Sequence, residues 1–209
     1  MLNRHFLLFA ILALRAFSPF AQAEDAPAIA PAVVLPTSLP EIKLSDQNGK
    51  AWDLHKEKDA KAAVIFIHGV GCPIVRQSAP TLEEIKKSFA PKGVEFFMLN
   101  SNPYDTVEDV KSEAKDFSVT MPILLDPKQE TAKALKVERT ATVIVAVPKE
   151  NWKIVYRGAV NDRFDYLAQR PQAKEEWLKD ALNAVLEGKD VMVPVTQAKG
   201  CLINYLDAK

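Results

Sequence analysis

The sequence predicts an α/β domain in which a central mixed sheet carries helices on both faces. Apolar runs at 62–67, 94–99, 122–125 and 142–147 read as strands, the unbroken AAVIFI at 62–67 as a central one covered on both faces. Stretches with apolar residues three and four apart lie between these runs, so strands alternate with helices before a closing hairpin. Composition agrees: 209 residues, 48% hydrophobic and 26% charged, with 7 Gly against 14 Pro, suit one globular domain. They exclude a collagen, a low-complexity polymer and a polytopic membrane protein. Lys plus Arg and Asp plus Glu are 27 each, so no basic excess argues for nucleic acid.

Residues 1–23, MLNRHFLLFAILALRAFSPFAQA, have a basic start at Arg4, an apolar run from Phe6 to Leu14 and the small-residue end Ala21-Gln22-Ala23. That layout is a secretory signal cleaved after Ala23, and its apolar run is too short to cross about 30 Å of hydrocarbon. Cleavage leaves 209 − 23 = 186 residues with a charge balance of 25 − 27 = −2 and no stable membrane span. Export is expected, most simply to a periplasm where thiols are oxidised. Residues 24–39 follow as an Ala/Pro-rich leader with nothing to fold around, 40–188 as the domain, and 189–209 as a tail.

Within the domain, PEIKLSDQNGKAWDL offers two short strands around the Asn48-Gly49 turn. AAVIFI (62–67) is the central strand, followed by a helix over 73–90 with Leu82, Ile85 and Phe89 inward and Pro91-Lys92-Gly93 stopping it. After VEFFML (94–99), Asp105 or Thr106 caps a helix over 107–117, with Glu108 or Asp109 supplying the charge that end prefers. PILL (122–125) and a helix over 129–135 lead to TVIVAV (142–147), which pairs with 153–156 across the turn 149–151. A last helix is expected over 171–186, with Pro171 at its start and Gly188 beyond its end.

Two cysteines are too few for a disulfide-dense scaffold or a four-cysteine zinc site, but allow one bridge or one redox pair. Cys72 follows the central strand and the loop His68-Gly69-Val70-Gly71 and opens the helix. Unpaired first-turn N–H groups there favour a thiolate and lower the thiol below about 8.5. Arg76, one turn on, either adds positive potential or is solvated. Cys201 lies 129 residues later, after Gly200, and is either half of a permanent staple or the resolving partner of Cys72. His68 has two readings: a residue that tunes or protonates Cys72, or, with both thiols, a soft two-sulfur, one-nitrogen set suited to Cu(I).

These residues carry a resemblance. The order of elements over roughly 40–188 resembles the thioredoxin-like fold of the peroxiredoxin-related (AhpC/TSA, redoxin) group, with Cys72 capping the first long helix and Pro80 eight positions on. The likeness extends to PILLD at 122–126 and YRGAVNDRF at 156–164. Cys72-Pro73-Ile74 and Gly200-Cys201 are similar to motifs of exported redoxin-domain proteins. The resemblance implies a thiol-disulfide oxidoreductase or antioxidant thiol protein with Cys72 as nucleophile and Cys201 as partner. It also implies a protein or small-molecule thiol, disulfide or peroxide as substrate, and an exported thiol reductant. The alternatives from different classes are a periplasmic copper-binding protein using His68, Cys72 and Cys201, and a non-catalytic binding domain with a structural disulfide.

The chain departs from the family pattern at defined positions. Val75 stands where a CxxC would place its second cysteine, and Ile65 and Gly69 stand where peroxiredoxins carry proline and threonine, so slow peroxide chemistry is expected. The loop facing Cys72 is Arg139-Thr140-Ala141-Thr142, where Ala141 replaces the usual proline and should be trans; Arg139 is the site candidate there. No GxSxG elbow, phosphate loop or HExxH is present, and no cofactor is expected. The carboxylates read as solvated helix faces, His55 as solvated, and Asn161-Asp162 either as a turn or, with Arg163, as a loop reaching the site.

Overall fold

The computed structural model describes residues 36–57, 59–164 and 169–206. The expected signal and most of the leader lie outside the described residues. Five strands form one sheet in the order β5-β4-β3-β6-β7: Ile123–Leu125, Val94–Asn100, Ala62–His68, Val143–Val147 and Lys153–Gly158. β3 runs parallel to β4 and antiparallel to β6, β4 parallel to β5, and β6 antiparallel to β7, which makes the mixed sheet of a thioredoxin-like fold. The hairpin β1 (Lys43–Ser45) and β2 (Ala51–Asp53) forms separately.

All of β3 is buried, and its side chains divide by the two-residue period of a strand. Val64 and Phe66 join Leu82, Ile85 and Phe89 of α1 (Pro73–Phe89), Val110 and Ala114 of α2 (Val107–Asp116) and Leu178 and Leu182 of the last helix. Ala63, Ile65 and Ile67 face Leu39, Ile42, Leu54 and Trp152, with Leu135 at the end of α3 (Glu130–Ala134). Thr106 caps α2 in a reciprocal box with Asp109. α4 (Lys149–Trp152) is a single turn that joins β6 to β7, with Glu150 and Asn151 in the left-handed region.

Three expectations need correction. The leader is not wholly without structure: Leu39 is buried, its N–H donates to the Trp152 carbonyl, and the Ile154 N–H donates to the Thr37 carbonyl, so 37–39 cover part of the outer edge of β7. The last helix, α5, spans Trp177–Leu186 rather than starting at 171. Asp162 Oδ1 accepts the Lys174 and Glu175 amides at 2.8 and 3.1 Å, which holds that stretch in a loop. His55 is half-buried with its ring edge-on to Trp152, centroids 6.1 Å apart, rather than solvated.

Candidate active site

Cys72 is the N-cap of α1, at the junction of strand and helix that the sequence indicates. Its amide closes a turn onto the Gly69 carbonyl at 3.3 Å, and Pro73 takes the first helical position, where no N–H is needed. Two carboxylates brace the preceding loop. Asp105 Oδ2 accepts the Val70 N–H at 2.9 Å, and Glu113 Oε2 accepts the Gly71 N–H at 2.8 Å. Glu113 is only 5% exposed, so the reading of all carboxylates as solvent surface fails here.

The tail reaches the site by way of the sheet. Val195 pairs with Arg157 beside β7, and the chain then crosses to the 138–140 loop. The Thr140 N–H donates to the Cys201 carbonyl at 2.9 Å, and the Ile203 N–H to the Glu138 carbonyl at 2.9 Å. Gln129 holds the far end through the Asn204 carbonyl and the Leu206 N–H, at 2.9 and 2.7 Å. Gly200 is the tightest point: a Cβ there would lie 1.8 Å from the Thr140 carbonyl oxygen, so only glycine fits.

The two sulfurs meet at 3.1 Å as thiols. A disulfide needs about 2.05 Å, so bonding asks for an approach of about 1 Å, which side-chain rotation and slight tail movement can supply. Thr140 Oγ1 donates to Cys72 Sγ at 3.1 Å and accepts the Cys201 N–H at 2.8 Å. Burial pushes the Cys72 thiol up. Hydrogen bonds from Thr140, Cys201 and the Val75 amide outweigh burial, and the net shift is downward.

His68 lies behind the loop, 3% exposed. Asn100 Oδ1 accepts the Asn102 N–H at 3.1 Å, so its Nδ2 faces His68 Nδ1 at 3.0 Å and Asp105 Oδ2 at 2.8 Å. Nδ1 is therefore an acceptor and Nε2 carries the proton, with Glu113 Oε1 3.9 Å away, beyond hydrogen-bond distance. Burial lowers the His68 pKa to about 4 against the opposing pull of Glu113 and Asp105, so the ring is neutral near pH 7. Both nitrogens face groups other than the thiols. Among the described residues no cluster of three or more His, Cys, Asp or Glu is disposed to hold a metal, so the copper set is not assembled.

Arg76 is 40% exposed and pairs with Glu113 Oε2 at 2.8 Å. Arg139 donates to the Gly200 carbonyl at 3.1 Å, which makes it a tail contact. Asn161 Oδ1 accepts the Arg163 N–H at 3.1 Å, an ordinary Asx-turn, and Asp162 is occupied with 174 and 175. Ala141 is trans, with φ of 57°. Beside the sulfurs lies a cavity of about 230 Å³ walled by the 68–72 loop, Ser101, Asn102, Thr140 and residues 201–204.

Sequence reasoning missed Thr140, Glu113 and Asp105 as site groups. Glu113 did leave a signal: it falls between Val110 and Phe117, at helical spacing on the apolar side of α2. Thr140 left none beyond its place in the facing loop, because its contact with Cys72 spans 68 residues.

The family model described as Redoxin matches residues 35–175, short of the tail that carries Cys201. No curated protein matches the chain. A hypothetical protein from Sinorhizobium meliloti is 27% identical, with a TM-score of 0.72, covering 85% of this chain and 97% of its own. An uncharacterized conserved protein from Geobacillus kaustophilus is 30% identical, with a TM-score of 0.68, covering 84% and 94%. A putative thiol:disulfide interchange protein from Chlorobium tepidum shares the fold at 18% identity and a TM-score of 0.57, covering 73% and 98%.

Proposed function

The chain belongs to the redoxin family, and from that premise we propose that it is an exported thiol-disulfide oxidoreductase whose working pair is Cys72 and Cys201. The observation that carries this reading is the 3.1 Å contact between an acidified, helix-capping thiol and a thiol on a tail held by hydrogen bonds. In this reading residues 1–23 are the export signal, 24–39 a leader, 40–188 the redox domain and 189–209 the resolving tail. Among the described residues no helix is long and apolar enough to cross a membrane.

The Cys72 thiolate attacks one sulfur of a substrate disulfide, forming a mixed disulfide and releasing the other substrate sulfur as a thiolate. The Cys201 thiolate then attacks Cys72 Sγ, forms the intramolecular bridge and releases the second substrate sulfur. The substrate gains two electrons, the protein loses two, and an exported dithiol reductant restores the pair. The same steps run in reverse for substrate oxidation. Arg76 and Glu113 hold the loop, and Arg139 holds the tail.

A second reading has its own observation: Thr140 places a hydroxyl 3.1 Å from Cys72 Sγ, supplying from the facing loop the group that Gly69 lacks. A peroxide O–O bond broken by the thiolate would leave a sulfenic acid on Cys72, which Cys201 condenses to the same bridge with loss of water. This is the AhpC/TSA-type activity, and slow turnover is expected.

Mass mapping after mild oxidation tests the shared core. A peptide pair linked through Cys72 and Cys201 is expected. Both cysteines remaining reduced, or joining only other chains, would overturn the resolving role.

A further inference from the structure

Thr140 is the only link, among the described hydrogen bonds, whose one hydroxyl touches both the tail backbone and the reacting sulfur. A hydroxyl has one hydrogen to give and two lone pairs to receive. Here it receives the Cys201 N–H at 2.8 Å, and its hydrogen has two acceptors in reach: Cys72 Sγ at 3.1 Å and the Cys201 carbonyl at 3.4 Å. That carbonyl already accepts the Thr140 N–H at 2.9 Å. The shorter contact, and the one that gains most when the sulfur is anionic, is to Cys72. Amide, hydroxyl and sulfur thus form a chain in which each bond polarises the next, and the Cys201 amide also bonds the sulfur directly.

Gly69 keeps the chain in place from the other side. A Cβ there would come within 2.8 Å of Thr140 Cγ2 and turn the hydroxyl away from the sulfur. Gly69, where peroxiredoxins carry threonine, leaves the room that a threonine from the facing loop occupies.

We infer that the docked tail activates as well as resolves: the Cys201 amide, both directly and through the Thr140 hydroxyl, stabilises the Cys72 thiolate, so Cys72 is most ionised while the tail is seated. Thr140 is then a catalytic residue that touches the reacting atom, and the Cys201 amide reaches the same atom beside it. The other charged groups near Cys72 do not depend on the tail amide. Arg76 of α1 and Glu113 of α2 pair with each other, His68 of β3 is neutral, and Asp105 serves the loop amides. Arg139 bonds the Gly200 carbonyl, and the Lys199 ammonium bonds Gln197 at 3.1 Å. A substrate that displaces the tail would meet a less acidic thiol, and reseating the tail would restore it.

The inference rests on Cys72 being the reactive thiol but not on bridge formation, so single-thiol full-length chains separate the two. Cys201→Ala keeps the amide donor; Cys201→Pro removes it. Thiolate absorbance against pH should place the Cys72 pKa about one unit higher in Cys201→Pro, about a tenfold loss of thiolate at pH values below it. Thr140→Val added to Cys201→Ala should raise it as much, Thr140→Ser should restore it, and combining Thr140→Val with Cys201→Pro should raise it by less than the sum of the two separate rises. Equal pKa values in Cys201→Ala and Cys201→Pro would overturn the inference, as would a full further rise on combining the two changes. Failure of the bridge to form in the wild type would count against the proposed function alone.

Discussion

The seats of the two cysteines are built by different means. Cys72 follows a wholly buried strand by one short loop and caps a 17-residue helix, and that loop is braced by Asp105 and Glu113 from two other segments. Cys201 is half-buried on a strap that continues no strand; it touches the core from outside and is held by one hydrogen bond each to Glu138 and Arg139, by several to Thr140 and by the absence of a side chain at Gly200. Packing of an apolar core fixes the first sulfur, at a cost of several kcal/mol to disturb. Hydrogen bonds worth about 1 kcal/mol net each fix the second. One thiol therefore sits on a packed platform and the other on a hydrogen-bonded strap, which is the division of labour the proposed resolving mechanism requires.

The largest effect that would break this comparison is at the sulfurs. Cys72→Ser should abolish labelling by a thiol probe at pH 6 to 7, because Cys201 has no helix end beside it. Cys201→Ser should keep the labelling and trap mixed disulfides with substrate or a sulfenic acid. Comparable labelling of the two single-thiol chains would erase the asymmetry.

The platform has its own pH signature. His68 takes its proton near 6.5 in the unfolded chain and near 4 in the folded one, so the unfolded state binds more protons between those values. Stability contributed by the neutral ring is present above 6.5 and is lost as pH falls toward 4, by about 3 kcal/mol in all. Urea unfolding across that window should show the loss, and His68→Gln should flatten it. An unchanged slope in the variant would place the titration elsewhere.

On the strap, Gly200→Val cannot seat against the Thr140 carbonyl. It should slow bridge formation at least tenfold while costing the global fold about 1 to 3 kcal/mol. The smallest effect belongs to Arg139→Ala, which removes one bond to the Gly200 carbonyl. A loss of about 1 kcal/mol in tail docking, roughly fivefold in bridging rate, is expected with no change in the Cys72 thiol itself. Hydrogen exchange of the 200–206 amides would register both substitutions in that order.

The contrast between platform and strap also explains what the sequence disclosed. Strands β3, β4 and β6 were legible because burial of a central strand demands mostly apolar runs, unbroken in β3 and interrupted in β4 only by the exposed Glu95 before its polar end, and the Cys72 junction was legible because strand, loop and Pro73 are contiguous. The start of α5 was not, since Asp162 holds the 174 and 175 amides from a distance in sequence that no local propensity records. The Thr140 hydroxyl and the tail contacts escaped for the same reason: each is a polar pairing across 61 or more residues. Glu113 was hidden by its residue type, since a glutamate on a charged helix reads as solvated until the loop that needs its oxygens is in place.

Whether the pair works or merely staples the tail is decided by the reduction potential of the Cys72–Cys201 bridge, titrated in the mature chain against a dithiol buffer while tail exchange is followed. A stabilised Cys72 thiolate favours the reduced state, so the bridge should open at a potential above about −300 mV, with the tail amides losing protection at substrate disulfide exchange. A potential below about −300 mV, with a tail that stays protected and Cys72 inert to disulfides, would contradict the account and leave a structural bridge.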